Sequence, residues 1–238
     1  MTAAWALEWR VALRRRRLFY FNVVVPLVLV SVVSGAGAPA HHAAAIYAVL
    51  FVMFATFGSA IPWVRDGETG WLERLALRGA SPWSLVLGRS AAATLLDLLQ
   101  LAPSVLLILL AGDHRASHWV AVFWALAISL GAANLLGCWV AAIARSVAEA
   151  ALFSATVSLF LLHGAGTFRT PMPGSTGAAI QVWIPFRLLH ETLLAVANGG
   201  LLPTLISWPI SLWATLSLTA ATALAAPWLV ARLSRPEA

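Results

Sequence analysis

Apolar residues along this chain fall in long, nearly uninterrupted stretches rather than in the alternation of a half-buried strand. Residues 18–38, 43–64, 90–112, 119–144, 148–168 and 204–231 each form such a stretch, bounded by charge, Gly or Pro. A helix rising about 1.5 Å per residue needs about 20 residues to cross a bilayer core about 30 Å thick, and all six stretches reach that length. Backbone groups left unpaired in lipid are costly, so a spanning segment is either a helix or part of a closed barrel. The period-two pattern of a barrel is missing. The pattern therefore predicts an all-α integral membrane protein with six transmembrane helices. No internal repeat breaks it up, so residues 1–238 read as a single membrane domain.

Composition supports the same solvent. The chain is 61% hydrophobic and 10% charged, with mean hydropathy +0.87, against about a quarter charged residues in soluble domains. All fifteen basic residues are Arg. A pI near 11.2 would also suit nucleic acid, but these Arg sit at the ends of apolar stretches, where anionic headgroups lie, and not in a basic stripe interleaved with aromatics. Membrane lipids are the expected partner and nucleic acid is not. With the N-terminus inside, Arg10, Arg14, Arg15, Arg16, Arg17, Arg65, Arg74, Arg78, Arg89, Arg145, Arg232 and Arg235 are cytoplasmic, and only Arg115, Arg169 and Arg187 lie outside. The positive-inside rule then predicts both termini in the cytoplasm. Trp63, Trp119, Trp183 and Trp228 map near span ends, where an indole prefers the headgroup zone; Trp124, Trp139 and Trp213 map deeper, as packing residues. High Ala, Leu and Arg without Lys suits a GC-rich bacterial genome, hence a bacterial cytoplasmic membrane. The basic N-terminal run precedes a long first span with no small-residue cleavage site, so it reads as retained.

Three segments are not spans. In residues 1–17, Trp5, Trp9, Ala12 and Leu13 fall on one side of a helix and Arg10, Arg14 and Arg17 on the other, which predicts an amphipathic interfacial helix. The inner loop, 65–89, contains Gly70 and Gly79 bracketing a short helical stretch in which Leu72, Leu75 and Ala76 share a face. Ser81-Pro82 then reads as an N-cap and first helical residue, so the third long helix is expected to begin well before its span. The outer segment, 169–203, is too polar and Pro-broken to span and too apolar for a free loop. It predicts a pair of short helices in the outer leaflet, with Arg187 and Glu191 spaced to pair at i, i+4.

Little in the chain carries bond-making chemistry. No Gly-x-Ser-x-Gly motif is present, the last span has no His, and no nucleophile and base assemble from the pattern. Cys138, the single cysteine, excludes an intrachain disulfide or a Cys-x-x-Cys metal site. His41, His42, His114, His118, His163 and His190 all map to the outer half. The pairs His41-His42 and His114/His118 lack a third ligand at a clear spacing, so polar turn residues are expected there and no metal or cofactor. Asp97 is the one acid within the body of a span, three residues before Gln100 and on nearly the same face. The two are candidates for a translocation path, or for an interhelical hydrogen bond.

Across nearly its whole length the chain resembles the ABC type-2 permease family of exporters. The inner loop is similar to the family's Glu-x-Gly-Thr-Leu-Glu-x-Leu pattern at Glu68, Gly70, Leu72, Glu73 and Leu75, followed by Pro82 and Gly88-Arg89. Gly166-Thr167-Phe168, Met172-Pro173, Pro185 and Gly199-Gly200 resemble the family's stretch between its fifth and sixth spans, and the N-terminal segment resembles its connecting helix. Pieces of the inner loop are also similar to the haem-exporter permease of cytochrome c maturation. The resemblance implies that the 70–78 helix is a coupling helix, with Glu68, Gly70, Trp71, Leu72, Glu73, Arg74 and Leu75 facing an ATP-binding subunit. It also implies a second copy of this chain or a related permease. No Gly-x4-Gly-Lys-Ser/Thr loop exists in this Lys-free sequence, so ATP and Mg are expected on the partner. The expected activity is export of an amphipathic or hydrophobic cargo such as a drug, lipid, glycolipid or haem. A non-catalytic scaffold or assembly factor is the alternative, and an intramembrane enzyme the more remote one.

Overall fold

The computed structural model of the chain describes residues 9–10, 14, 16–111, 116–169, 172, 174–199 and 207–234. Their regular structure is helical: α1 (Arg16–Gly35), α2 (Ala40–Glu68), α3 (Trp71–Leu77), α4 (Pro82–Ala111), α5 (Ala116–Ile143), α6 (Val147–Gly164), α7 (Thr176–Gln181), α8 (Phe186–Asn198) and α9 (Ser207–Leu233). Five of these, α2, α4, α5, α6 and α9, are long and apolar enough to cross a membrane; in α1 the apolar part, Phe19–Gly35, is shorter. The expected amphipathic helix over residues 1–17 lies almost wholly outside the described residues.

α2 and α4 run for 29 and 30 residues, about 44 Å of helix, and so extend beyond the apolar stretches that predicted them. At the start of α4 the reason is local. Pro82 needs no donor partner in a first turn, and the Ser81 hydroxyl accepts the Ser84 N–H at 3.3 Å, the cap anticipated at that spot. Pro26, Pro62, Pro103 and Pro227 sit inside helices, as membrane helices tolerate.

α2 is the central post, packed against α5, α6 and α8. A Cβ on Gly137 of α5 would lie 2.7 Å from Ser59 Cβ and 2.8 Å from the Thr56 carbonyl oxygen, so α2 and α5 meet backbone to backbone there. This crossing divides the interior in two. Toward one end lies an apolar core that includes Phe51, Leu101, Leu126, Phe186 and Leu189; toward the other lies a second that includes Trp63, Leu72, Val86, Cys138 and Leu229. Between them runs a belt of buried polar side chains, among them Thr56, Ser59, Asp97, Asn134 and Ser158.

The Trp expectations divide. Trp139 packs as predicted, its ring tilted against that of Trp228 with centroids 6.0 Å apart, and it donates to the Thr222 hydroxyl at 2.9 Å. Trp124 and Trp213, also expected to pack, are 61% and 64% exposed on the surface of the chain, whereas Trp63, expected at the headgroups, is fully buried. In lipid both the outside and the inside of a bundle are apolar, so hydrophobicity along the chain does not say which face turns inward.

Candidate functional site

The short helix α3 stands at the end of the bundle where α2 finishes and α4 starts. Gly70 before it and Gly79 after it have φ of +64° and +79°, a region that suits Gly and strains other residues. At its C-terminus Gly79 N–H donates to the Ala76 carbonyl at 2.9 Å and Ala80 N–H to the Leu75 carbonyl at 3.2 Å, the paired bonds of a Schellman stop. Seven residues are too few for a helix to persist alone in water. α3 therefore depends on what holds it.

Two attachments hold it. Leu72 is fully buried in the core beside Trp63 and Val86, and a leucine so placed contributes about 2 kcal/mol through burial. The second attachment centres on Arg89 of α4. Its guanidinium pairs with Asp66, in the last turn of α2, at 2.6 Å. It lies over the Trp63 ring at 4.3 Å and within 6.0 Å of the Trp71 ring, the first residue of α3. One mostly buried cation thus joins α2, α3 and α4, using the planar face and fork that Lys lacks. Nearby, a Cβ on Gly67 would clash with the Leu233 carbonyl oxygen, so the end of α9 closes on the last turn of α2.

The residues proposed to face a partner are placed unequally. Glu68, Glu73 and Arg74 are exposed, Gly70, Trp71 and Leu75 are half-buried, and Leu72 points inward. Ala76, expected to share a face with Leu72 and Leu75, is exposed. Arg74 instead bonds the Thr69 carbonyl at 3.0 Å. Sequence reasoning overlooked Leu77, which is 81% exposed beside the exposed Arg74 and Arg78. It also singled out Arg89 only as part of a motif; the pairing of Asp66 with Arg89 crosses a loop and has no periodic signal.

Asp97 and Gln100 are both buried, in separate bonds. Asn134 of α5 donates to the Asp97 carboxylate at 2.8 Å, and Asn22 of α1 donates to the Gln100 carbonyl at 3.3 Å. The Ser59 hydroxyl donates to the Asn134 carbonyl at 2.9 Å, and Ser158 donates to Thr56 at 3.1 Å. The belt thereby ties α1, α2, α4, α5 and α6 together through polar groups that lipid cannot satisfy.

At the opposite end, α7 and α8 lie within residues 169–203 as two short helices. Arg187 and Glu191 form the anticipated pair at 2.5 Å. Gln181 donates to the Ala165 carbonyl at 2.7 Å, closing the end of α6. Ring contacts bring His41 of α2 within 5.3 Å of His190 of α8, while His41 and His42 are 6.2 Å apart. His118 is buried; His114 lies outside the described residues. Among the described residues no group of three or more His, Cys, Asp or Glu side chains is arranged to hold a metal ion.

These features define a class: a polytopic helical membrane protein with a short charged helix clamped to one end of its bundle. The sequence profile of the ABC-2 type transporter family matches residues 1–197, and the chain belongs to that family. Its members are membrane permease domains of ABC transporters, generally without catalytic chemistry of their own, that work with an ATP-binding subunit. Comparison with curated proteins gives no match.

Proposed function

We propose that this chain is the permease subunit of an ATP-driven exporter, with six spans, both termini in the cytoplasm of a bacterial cell, and α3 as the coupling helix. One observation carries the reading: α3 presents Glu73, Arg74, Leu77 and Arg78 to solvent while Leu72 and the Arg89 pairing fix it to α2 and α4. A surface helix with no partner has no use for so firm a link to two spans. In this reading the soluble partner binds ATP and Mg, and its movement passes through Trp71 and Arg89 into the bundle. Two such chains, identical or related, form the route. Asp97 and Gln100 would line that route only when the α4–α5 and α1–α4 contacts part. The mostly apolar interior favours an amphipathic or hydrophobic cargo.

The test is purification of the tagged chain in mild detergent, with mass spectrometry of what stays bound and an ATPase assay of the eluate. Recovery of a soluble subunit with a Gly-x4-Gly-Lys-Ser/Thr loop, lost in Glu73→Arg and Leu75→Asp variants that still insert, is the expected result. Recovery of this chain alone, without ATPase activity, would favour a membrane scaffold instead.

A further inference from the structure

The His residues most distant in sequence are the ones the fold brings together. His41 is the second residue of α2, His190 lies in the middle of α8, and their rings sit 5.3 Å apart at 90°. His190 is 4% exposed, and its Nε2 has no hydrogen-bond partner. A buried polar atom without a partner costs free energy and asks for a ligand. Among the described residues neither ring forms an ion pair or a hydrogen bond with a carboxylate, so neither accounts for the arrangement. His41 is half-buried and His42 exposed, so the pair is reached from the end of the bundle.

We propose that His41 and His190 form a two-imidazole site for a borderline divalent transition-metal ion of the Zn(II) type. The spacing fits. A metal about 2.0 Å from one nitrogen of each ring, in tetrahedral geometry, sets the ring centres about 5 Å apart. Burial, and then the neighbouring His41, hold the His190 imidazole down at about 4. At neutral pH it is therefore uncharged, the form that ligates. With no third His, Cys, Asp or Glu arranged around the pair among the described residues, water fills the remaining positions. Such a site is open and exchangeable, unlike a closed four-ligand structural site. Its place gives it an effect: a metal there ties α8 to the first turn of α2 and so restrains the outer segment against the central post.

Isothermal titration of Zn(II) into the purified chain, with its affinity tag removed, tests the site. The expected result is one saturable Zn(II) per chain and a higher thermal midpoint with metal. Both should be lost in His41→Ala and His190→Phe, the latter keeping a ring in the same volume, and both retained in His42→Ala and His163→Ala. Absence of saturable binding by the native chain would overturn the proposal. So would binding that survives His41→Ala, a half-buried position whose loss the fold tolerates even if His190→Phe fails to accumulate. In either case the perpendicular rings are an N–H to ring-face contact.

Discussion

Each end of the bundle carries a short helix that does not span, and the two are built on opposite principles. α8 is absorbed into the protein: Phe186, Leu188, Leu189, His190, Thr192, Leu193, Ala195 and Val196 are buried among its thirteen residues. α3 buries one side chain, Leu72, of its seven, and meets Arg89, itself paired with Asp66, through the Trp71 ring. An element steadied over its whole length by apolar packing resists displacement along that length. An element held at one apolar anchor and one ring–guanidinium contact keeps a free face. On the proposed reading the difference separates a helix that seals from a helix that communicates, although both are short and adjacent to spans.

Truncating the anchors should expose that contrast. Phe186→Ala at the start of α8 is expected to cost the most, about 3–5 kcal/mol for a fully buried aromatic, read as a lower midpoint in detergent unfolding. Arg89→Ala follows at about 3 kcal/mol, because it leaves Asp66 partly buried without its cation. Unlike Phe186→Ala, it should also reduce capture of the ATP-binding subunit, since α3 loses its support. Arg89→Lys keeps the charge and loses the planar stack on Trp63; equal capture by Arg89→Lys and the native chain would show that charge alone fixes α3. A smaller effect, about 1 kcal/mol, is expected for Gly79→Ala, which forces a Cβ into the left-handed stop of α3. If Gly79→Ala left both stability and capture unchanged, the stop would not matter to how α3 is presented.

The long helices were legible in the sequence because in lipid a run of about 20 apolar residues has few other structures open to it. The bounds of α3 were legible for an equally local reason: Gly70 and Gly79 mark left-handed positions, and Ser81-Pro82 marks a start. What stayed hidden was non-local. Asp66 and Arg89 look like two loop charges until the ends of α2 and α4 are side by side. The inward turn of Trp63 and the outward turn of Trp124 and Trp213 follow from packing that carries no periodic hydrophobic signal. The contact of His41 with His190 was hidden for the same reason. Adjacent His41-His42 and the spaced His114 and His118 attract the eye, whereas His41 meets His190 across 149 positions.

Leu77 provides the smallest expected change in stability and the sharpest separation of the two helices. Its side chain is 81% exposed, so Leu77→Ser should alter the unfolding midpoint by no more than about 0.5 kcal/mol. On the proposed reading an exposed leucine on a clamped helix would nevertheless give a partner an apolar contact among the charges of Glu73, Arg74 and Arg78, and apolar anchors at the centre of a patch dominate binding. Capture of the ATP-binding subunit is therefore expected to fall about tenfold or more in Leu77→Ser, a loss of at least about 1.4 kcal/mol in binding. Unchanged capture with unchanged stability would move the docking surface off the tip of α3, and Trp71 and Leu75 at its half-buried flank would become the next positions to vary.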